Sequence, residues 1–210
     1  MRKRGIKINK KKVYRIYKNL SLELKTRKKP KRKLQYSENL TKPEFVNHIW
    51  NIDFTKVKIN GKNIKILSIM DVLSRKALKI YADISITSQD VLNILEKIFK
   101  KFKKPLVIRT DNGPEFRAKI LNKFLFKHRI KQEFIPKGKP HKNGFIERLI
   151  RSIKEEGLYP YCFENLKELN KLLSKYTLFY NSKRPHSSLN FKTPDEMFYN
   201  KNTNLKFVQK

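Results

Sequence analysis

The run Pro105-Leu106-Val107-Ile108-Arg109-Thr110 constrains the fold more than any other stretch. It is short and almost continuously apolar, the pattern of a strand covered on both faces. A helical pattern precedes it. After Ser88, a residue type that caps helices, Val91, Leu92, Leu95, Ile98, Phe99 and Phe102 recur at spacings of three and four. Lys103-Lys104-Pro105 stops that helix. A second helical pattern follows, from about Glu115 to His128, with Ile120, Leu121, Phe124 and Leu125 turned inward. A helix between two strands is a crossover, and it implies a parallel neighbour.

Upstream, Trp50, Ile52 and Phe54 alternate on one face of a predicted strand, and Asp53 points to the other. Asn60-Gly61 is a hairpin signal. The stretch from Lys62 to Met70, closed by Asp71, predicts a second strand; Ser74-Arg75 predict a turn, and Ala77 to Ala82 a third strand. Downstream, Ile130 to Ile135 predicts a fifth. The element order is then β-β-β-α-β-α-β-α: an α/β fold with a mixed five-stranded sheet flanked by helices.

Charge narrows the function. Lys and Arg number 51 against 18 Asp and Glu, a formal net charge of +33. Such an excess is self-repulsive unless a polyanion is near, and nucleic acid is the usual one. The longest apolar stretches, such as Ile64 to Met70, fall far short of a membrane span, and no membrane partner is expected. One cysteine, Cys162, excludes a disulfide framework and a Cys-based zinc site. The histidines at 48, 128, 141 and 186 show no paired metal-ligand spacing. A reducing, cytoplasmic setting is expected, and the richness in Lys, Asn and Ile suggests a bacterial source.

Three regions are expected. Residues 1–36 hold a basic helix beginning near Lys10, capped by Asn9, with Val13, Ile16, Tyr17 and Leu20 as a narrow apolar stripe; a basic linker from Lys25 to Lys33 follows. Residues 37–157 hold the sheet. Residues 158–210 add a helix from about Leu166 to Tyr180, a rigid basic loop around Pro185, and a short helix opened by Thr193-Pro194. The tail from Lys201 is expected to fray.

Within this frame three acids stand out. Asp53 lies mid-strand, where Asp is disfavoured. Asp111 stands at the carboxyl end of the doubly covered strand, where open α/β folds place their sites. Glu147 sits in the first turns of a helix among many Lys and Arg side chains. Each has a plainer reading: an exposed strand Asp, an Asx turn, and an i,i+4 ion pair with Arg151. Together, carboxylates from different elements are what two-metal phosphoryl transfer requires, holding two cations about 3.5–4 Å apart.

Four stretches carry a resemblance: Trp50-Asn51-Ile52-Asp53-Phe54-Thr55; Thr110-Asp111-Asn112-Gly113-Pro114-Glu115-Phe116; Pro136 to Glu147; and Tyr180 to Leu189 with Thr193-Pro194. Between Asp111 and Glu147 lie 35 residues. In these the chain resembles the DDE transposases of bacterial insertion sequences, of the group with a retroviral-integrase-like core. The resemblance implies a ribonuclease-H-like fold and two Mg²⁺ or Mn²⁺ ions. It also implies Asp53, Asp111 and Glu147 as catalytic metal ligands, and DNA cleavage at element ends followed by strand transfer. It further implies work on DNA as a dimer or higher oligomer beside the nucleoid. Relatives usually carry a complete helix-turn-helix before the linker. Only something like its last helix is expected here, as in an N-terminally truncated copy or the downstream product of a two-frame element.

Helical spacing puts Asn143, Glu147, Arg151 and Lys154 on one face, suited to DNA-end phosphates. Lys137, Lys139 and Lys142 in the preceding loop, with Lys183 and Arg184 beside Pro185, are the other expected DNA contacts. Two rival functions share these residues: a catalytically inactive DNA-binding remnant, and a ribonuclease-H-like nuclease that cuts without joining.

Overall fold

A computed structural model of the chain describes residues 9–22, 40–136 and 143–200. The expected linker, the loop lysines Lys137, Lys139 and Lys142, and the tail lie outside the described residues. The chain divides into two units, 1–39 and 40–210. In the first, α1 spans Lys10–Asn19, and Asn9 Oδ1 accepts from the Lys11 N–H at 2.9 Å as the expected cap.

The second unit is built on five strands in the order β3-β2-β1-β4-β5. β1 (Ile49–Ile59), β2 (Lys62–Asp71) and β3 (Ala77–Asp83) form the expected antiparallel meander. Its first turn is Asn60-Gly61, both at positive φ (48° and 78°), as a tight hairpin demands. β4 (Val107–Thr110) runs parallel to β1, and β5 (Lys131–Phe134) parallel to β4. All four residues of β4 are buried.

The two sheet faces carry separate cores. Trp50, Ile52, Leu67, Ile69 and Ile108 pack under α2 (Ser88–Phe99) and α4 (Lys119–Lys127). Ile64, Ile66, Met70 and Ile80 pack under α5 (Gly144–Ser152), a π-helical turn (Ile153–Leu158) and α6 (Leu166–Ser182). A final helix, α7, spans Pro194–Phe198 with Thr193 and Glu196 in a capping box.

Local differences from expectation have physical causes. α2 is capped by Thr87, with Asp90 completing a capping box, so Ser88 is its first residue; it ends at Phe99 rather than Phe102. The helix expected from Glu115 to His128 is two, α3 (Pro114–Arg117) and α4, because Ala118 is extended (φ −61°, ψ 134°). The break turns the Phe116 carbonyl to Gln132 Nε2 at 2.8 Å and leaves its ring stacked on Phe54. The helix after Gly144 changes to π geometry at Ile153, within the segment expected to be regular.

Candidate active site

Asp53 is half-buried in the middle of β1, opposite Ser68 of β2. The side-chain alternation that buries Trp50 and Ile52 on the α2 face turns Asn51 and Asp53 to the α5 face. β1 and β4 pair in parallel with Asn51 opposite Arg109. Two residues further along each strand stand Asp53 and Asp111. The sheet itself therefore brings these two acids side by side at the carboxyl end of β4.

Asp111 is exposed, and its Oδ1 accepts from the Gly113 N–H at 2.9 Å. The loop is tied down by Asn112 Nδ2 donating to the Ile135 carbonyl at 2.9 Å. Gly113 keeps the turn tight: a Cβ there would stand 3.0 Å from Asp111 Oδ1 and 3.2 Å from Glu115 Oε2, so both carboxylates would have to shift. Glu115 is committed elsewhere, to an ion pair with Lys65. Burial raises its carboxyl, but the Lys65 pairing, a backbone N–H and the Lys56 charge together hold it below the usual range.

Glu147 is exposed in the first turn of α5. The helix is anchored below by Ile146 and Leu149, both fully buried. At its start the Arg75 guanidinium lies 3.3 Å from the Phe145 ring centroid, a cation–π contact that joins α5 to the β2–β3 turn. Asn143 is buried, and its Nδ2 donates to Asp53 Oδ2 at 2.8 Å.

The electrostatics show which acids feel one another. Burial, the largest cause, pushes the Asp53 carboxyl up to about 6. The Phe54 N–H works against this, the charges of Asp111 and Glu147 add to the rise, and the Asn143 amide opposes it. Among the described residues none of the three acids is in a salt bridge with Lys or Arg. Nor are three His, Cys, Asp or Glu side chains of the described residues gathered tightly enough to hold a metal ion. The donor set nevertheless suits a hard divalent cation: oxygen donors only, mutually repelling, with no paired counter-charge among the described residues.

The expected DNA contacts separate. Arg151 is exposed in the last turn of α5, one turn beyond Glu147. Lys154 is half-exposed but lies past the change to π geometry, where the 3.6-residue spacing that placed it beside Arg151 no longer applies. Lys183 is exposed at the end of α6. Arg184 is turned inward to Glu156, whose carboxylate also accepts from the Tyr176 hydroxyl at 3.2 Å. Sequence reasoning missed Asn51, Arg75 and Glu156. Only Asn51 left a trace, as an amide set between Trp50 and Ile52 on the Asp53 side of the strand.

A mixed five-stranded sheet in the order β3-β2-β1-β4-β5, flanked by helices, is a ribonuclease-H-like core. The family described as Integrase core domain matches residues 43–140 and again 128–194. The uncharacterized 31.7 kDa protein of insertion element IS407 from Burkholderia multivorans is 30% identical over 193 residues, covering 91% of this chain and 70% of that protein. The transposase for insertion sequence element IS904 from Lactococcus lactis is 27% identical over 207 residues, covering 91% and 81%. In fold, the catalytic core domain of HTLV-2 integrase, solved in complex with magnesium, superimposes with a TM-score of 0.61 at 22% identity, covering 74% of this chain and 98% of that one. The chain belongs to the integrase-core family, among the insertion-sequence transposases.

Among the described residues no helix is long and apolar enough to cross a membrane.

Proposed function

We propose that this transposase cuts DNA at its element's ends and joins the freed 3′-hydroxyls to target DNA with Asp53, Asp111 and Glu147 as the catalytic acids. The observation that carries this is Asp53, raised to about 6 by burial and by both other acids, with no Lys or Arg among the described residues in a salt bridge with any of them. Asp53, which feels the charge of both others, would hold both of two Mg²⁺ or Mn²⁺ ions, and Asp111 and Glu147 would each complete one. Bound there, the ions supply Lewis-acid charge for the attacking and leaving oxygens. Asn143 fixes the rotation of Asp53, the Gly113 turn fixes Asp111, and the buried side of α5 fixes Glu147. Arg151 and Lys183, with Lys137, Lys139 and Lys142 of the loop before α5, supply cations for the DNA backbone. Transfer exchanges one phosphodiester for another, so the 3′-oxygen that attacks the target phosphorus displaces the target's own 3′-oxygen and no ATP is consumed. The protein acts on DNA as a homodimer or larger assembly, because two ends must be brought together.

The test is strand transfer with pre-cut element ends, target DNA and Mg²⁺. Joined products support the reading. Cleavage without joining indicates a nuclease, and binding without either indicates a DNA-binding remnant.

A further inference from the structure

Asn143 occupies the position before α5 where a short polar side chain ordinarily accepts from a free helix N–H. It makes no such cap. Its amide is turned to β1 instead: Nδ2 donates to Asp53 Oδ2 at 2.8 Å, and Oδ1 accepts from Asn51 Nδ2 at 3.3 Å. This orientation is dictated by the acid. An ionised carboxylate only accepts, so Asn143 must face it with its NH₂ group, which leaves its carbonyl to Asn51, and Asn51 must donate.

Asn51 has no exposed surface, it sits in a strand, where Asn is depleted, and its Oδ1 is buried without a partner among the described residues. A forgone helix cap and an orphaned buried carbonyl both work against stability. Neither is explained by packing; both follow if the amides serve Asp53.

We infer that Asn51 and Asn143 are positioning residues, a buried two-amide relay that fixes the rotation of the Asp53 carboxylate and ties it to the first turn of α5, which carries Glu147. The relay rests on the reading of Asp53 and Glu147 as metal-holding acids. Asn143 touches Asp53 directly, and Asn51 acts only through Asn143. With Oδ1 taking the Phe54 N–H at 2.8 Å and Oδ2 taking Asn143, each Asp53 oxygen has one donor among the described residues and a lone pair left for a cation.

The test is Mn²⁺ binding by calorimetry on the full chain, with thermal melting in chelator as the check on folding. Asn143→Ala is expected to weaken Mn²⁺ binding by roughly 10- to 100-fold, the usual effect of losing a partner of a metal-binding side chain. Asn51→Ala is expected to weaken it less. The double variant is expected to match Asn143→Ala alone, because the relay has one route to Asp53. Where an alanine variant fails to fold, the near-isosteric Asn143→Leu or Asn51→Leu gives the same readings. Unchanged Mn²⁺ affinity in a folded Asn143 variant overturns the proposal, and so does an Asn51→Ala effect that adds in full to that of Asn143→Ala. Failure of the underlying reading looks different: Asp53→Asn then binds Mn²⁺ as the parent does, and the relay falls with it.

Discussion

Arg184 meets Glu156 through two hydrogen bonds, Nε to Oε2 at 2.7 Å and Nη2 to Oε1 at 2.5 Å. This joins the loop after α6 to the π-helical turn. The pairing holds the Glu156 carboxyl below its usual range and the guanidinium above its own. A guanidinium so engaged is not offering its fork to a phosphate. Arg184→Ala should therefore leave the salt dependence of DNA binding unchanged, while Arg151→Ala and Lys183→Ala should each lower the log–log salt slope by about 1. Fluorescence anisotropy across a salt series measures this. A fall in slope for Arg184→Ala matching the other two would mean that Arg184 leaves Glu156 for DNA.

Asp53→Asn should abolish joining without unfolding the protein. Burial and two neighbouring acids make its charge unfavourable at neutral pH. The neutral amide should leave the melting temperature at pH 7.5 equal to the parent's or a few degrees higher, each 1 kcal/mol being worth about 2–4 °C at this size. A large drop in melting temperature would show that the carboxylate serves the fold.

Arg109 and Glu133, neighbours on β4 and β5, form a buried ion pair at 3.0 Å. Arg109 also donates to the Thr41 carbonyl at 2.6 Å, pinning the entering segment to the sheet. Arg109→Met leaves the buried Glu133 carboxylate with only Thr41 and the exposed Lys131 as partners among the described residues, and should cost up to about 3–5 kcal/mol in urea unfolding. Replacing both partners with apolar residues should cost less than that single change.

Much of this was legible before any coordinates. The buried run at Val107–Thr110, the Asn60-Gly61 turn and the Thr193-Pro194 helix start follow from local rules of burial, turn chemistry and capping. The crossover rule called for a parallel neighbour to β4, but that this neighbour is β1, which sets Asp53 beside Asp111, is seen only in the sheet order. What stayed hidden depends on long-range partners. The break at Ala118 is satisfied by Gln132 on another strand. Arg184 reads as a phosphate ligand until Glu156, 28 residues away, is seen beside it. Asn143 reads as a surface partner of Glu147 by helical spacing, because nothing local says that it gives up its capping role for Asp53.

Gly157 packs against the face of Tyr176, and a Cβ there would lie 2.7 Å from the ring. Gly157→Ala should destabilise by about 1–3 kcal/mol. Adding Tyr176→Leu should return part of that loss, so the double variant is more stable than the two single effects predict. Full additivity in denaturant unfolding would contradict the contact.

His186 is buried edge-on to Tyr180, with Nε2 unpartnered among the described residues. Burial, aided by the Arg184 charge, pushes its imidazole down to about 4. The unfolded chain therefore binds the proton first. Stability from this group is present at neutral pH and is lost as pH falls from about 6.5 through about 4. The parent should lose more melting temperature across that window than His186→Phe does. Equal losses would show that the ring is protonated without cost.

The joint role of Asp53, Asp111 and Glu147 is tested most directly by strand transfer with the single variants Asp53→Cys, Asp111→Cys and Glu147→Cys in Mg²⁺ and in Mn²⁺. Thiolate is a poor ligand for Mg²⁺ and a better one for softer ions. The predicted result is loss of joined product for all three in Mg²⁺, with partial return in Mn²⁺. Joining at the parent's level in Mg²⁺ by any one of them would contradict the assignment.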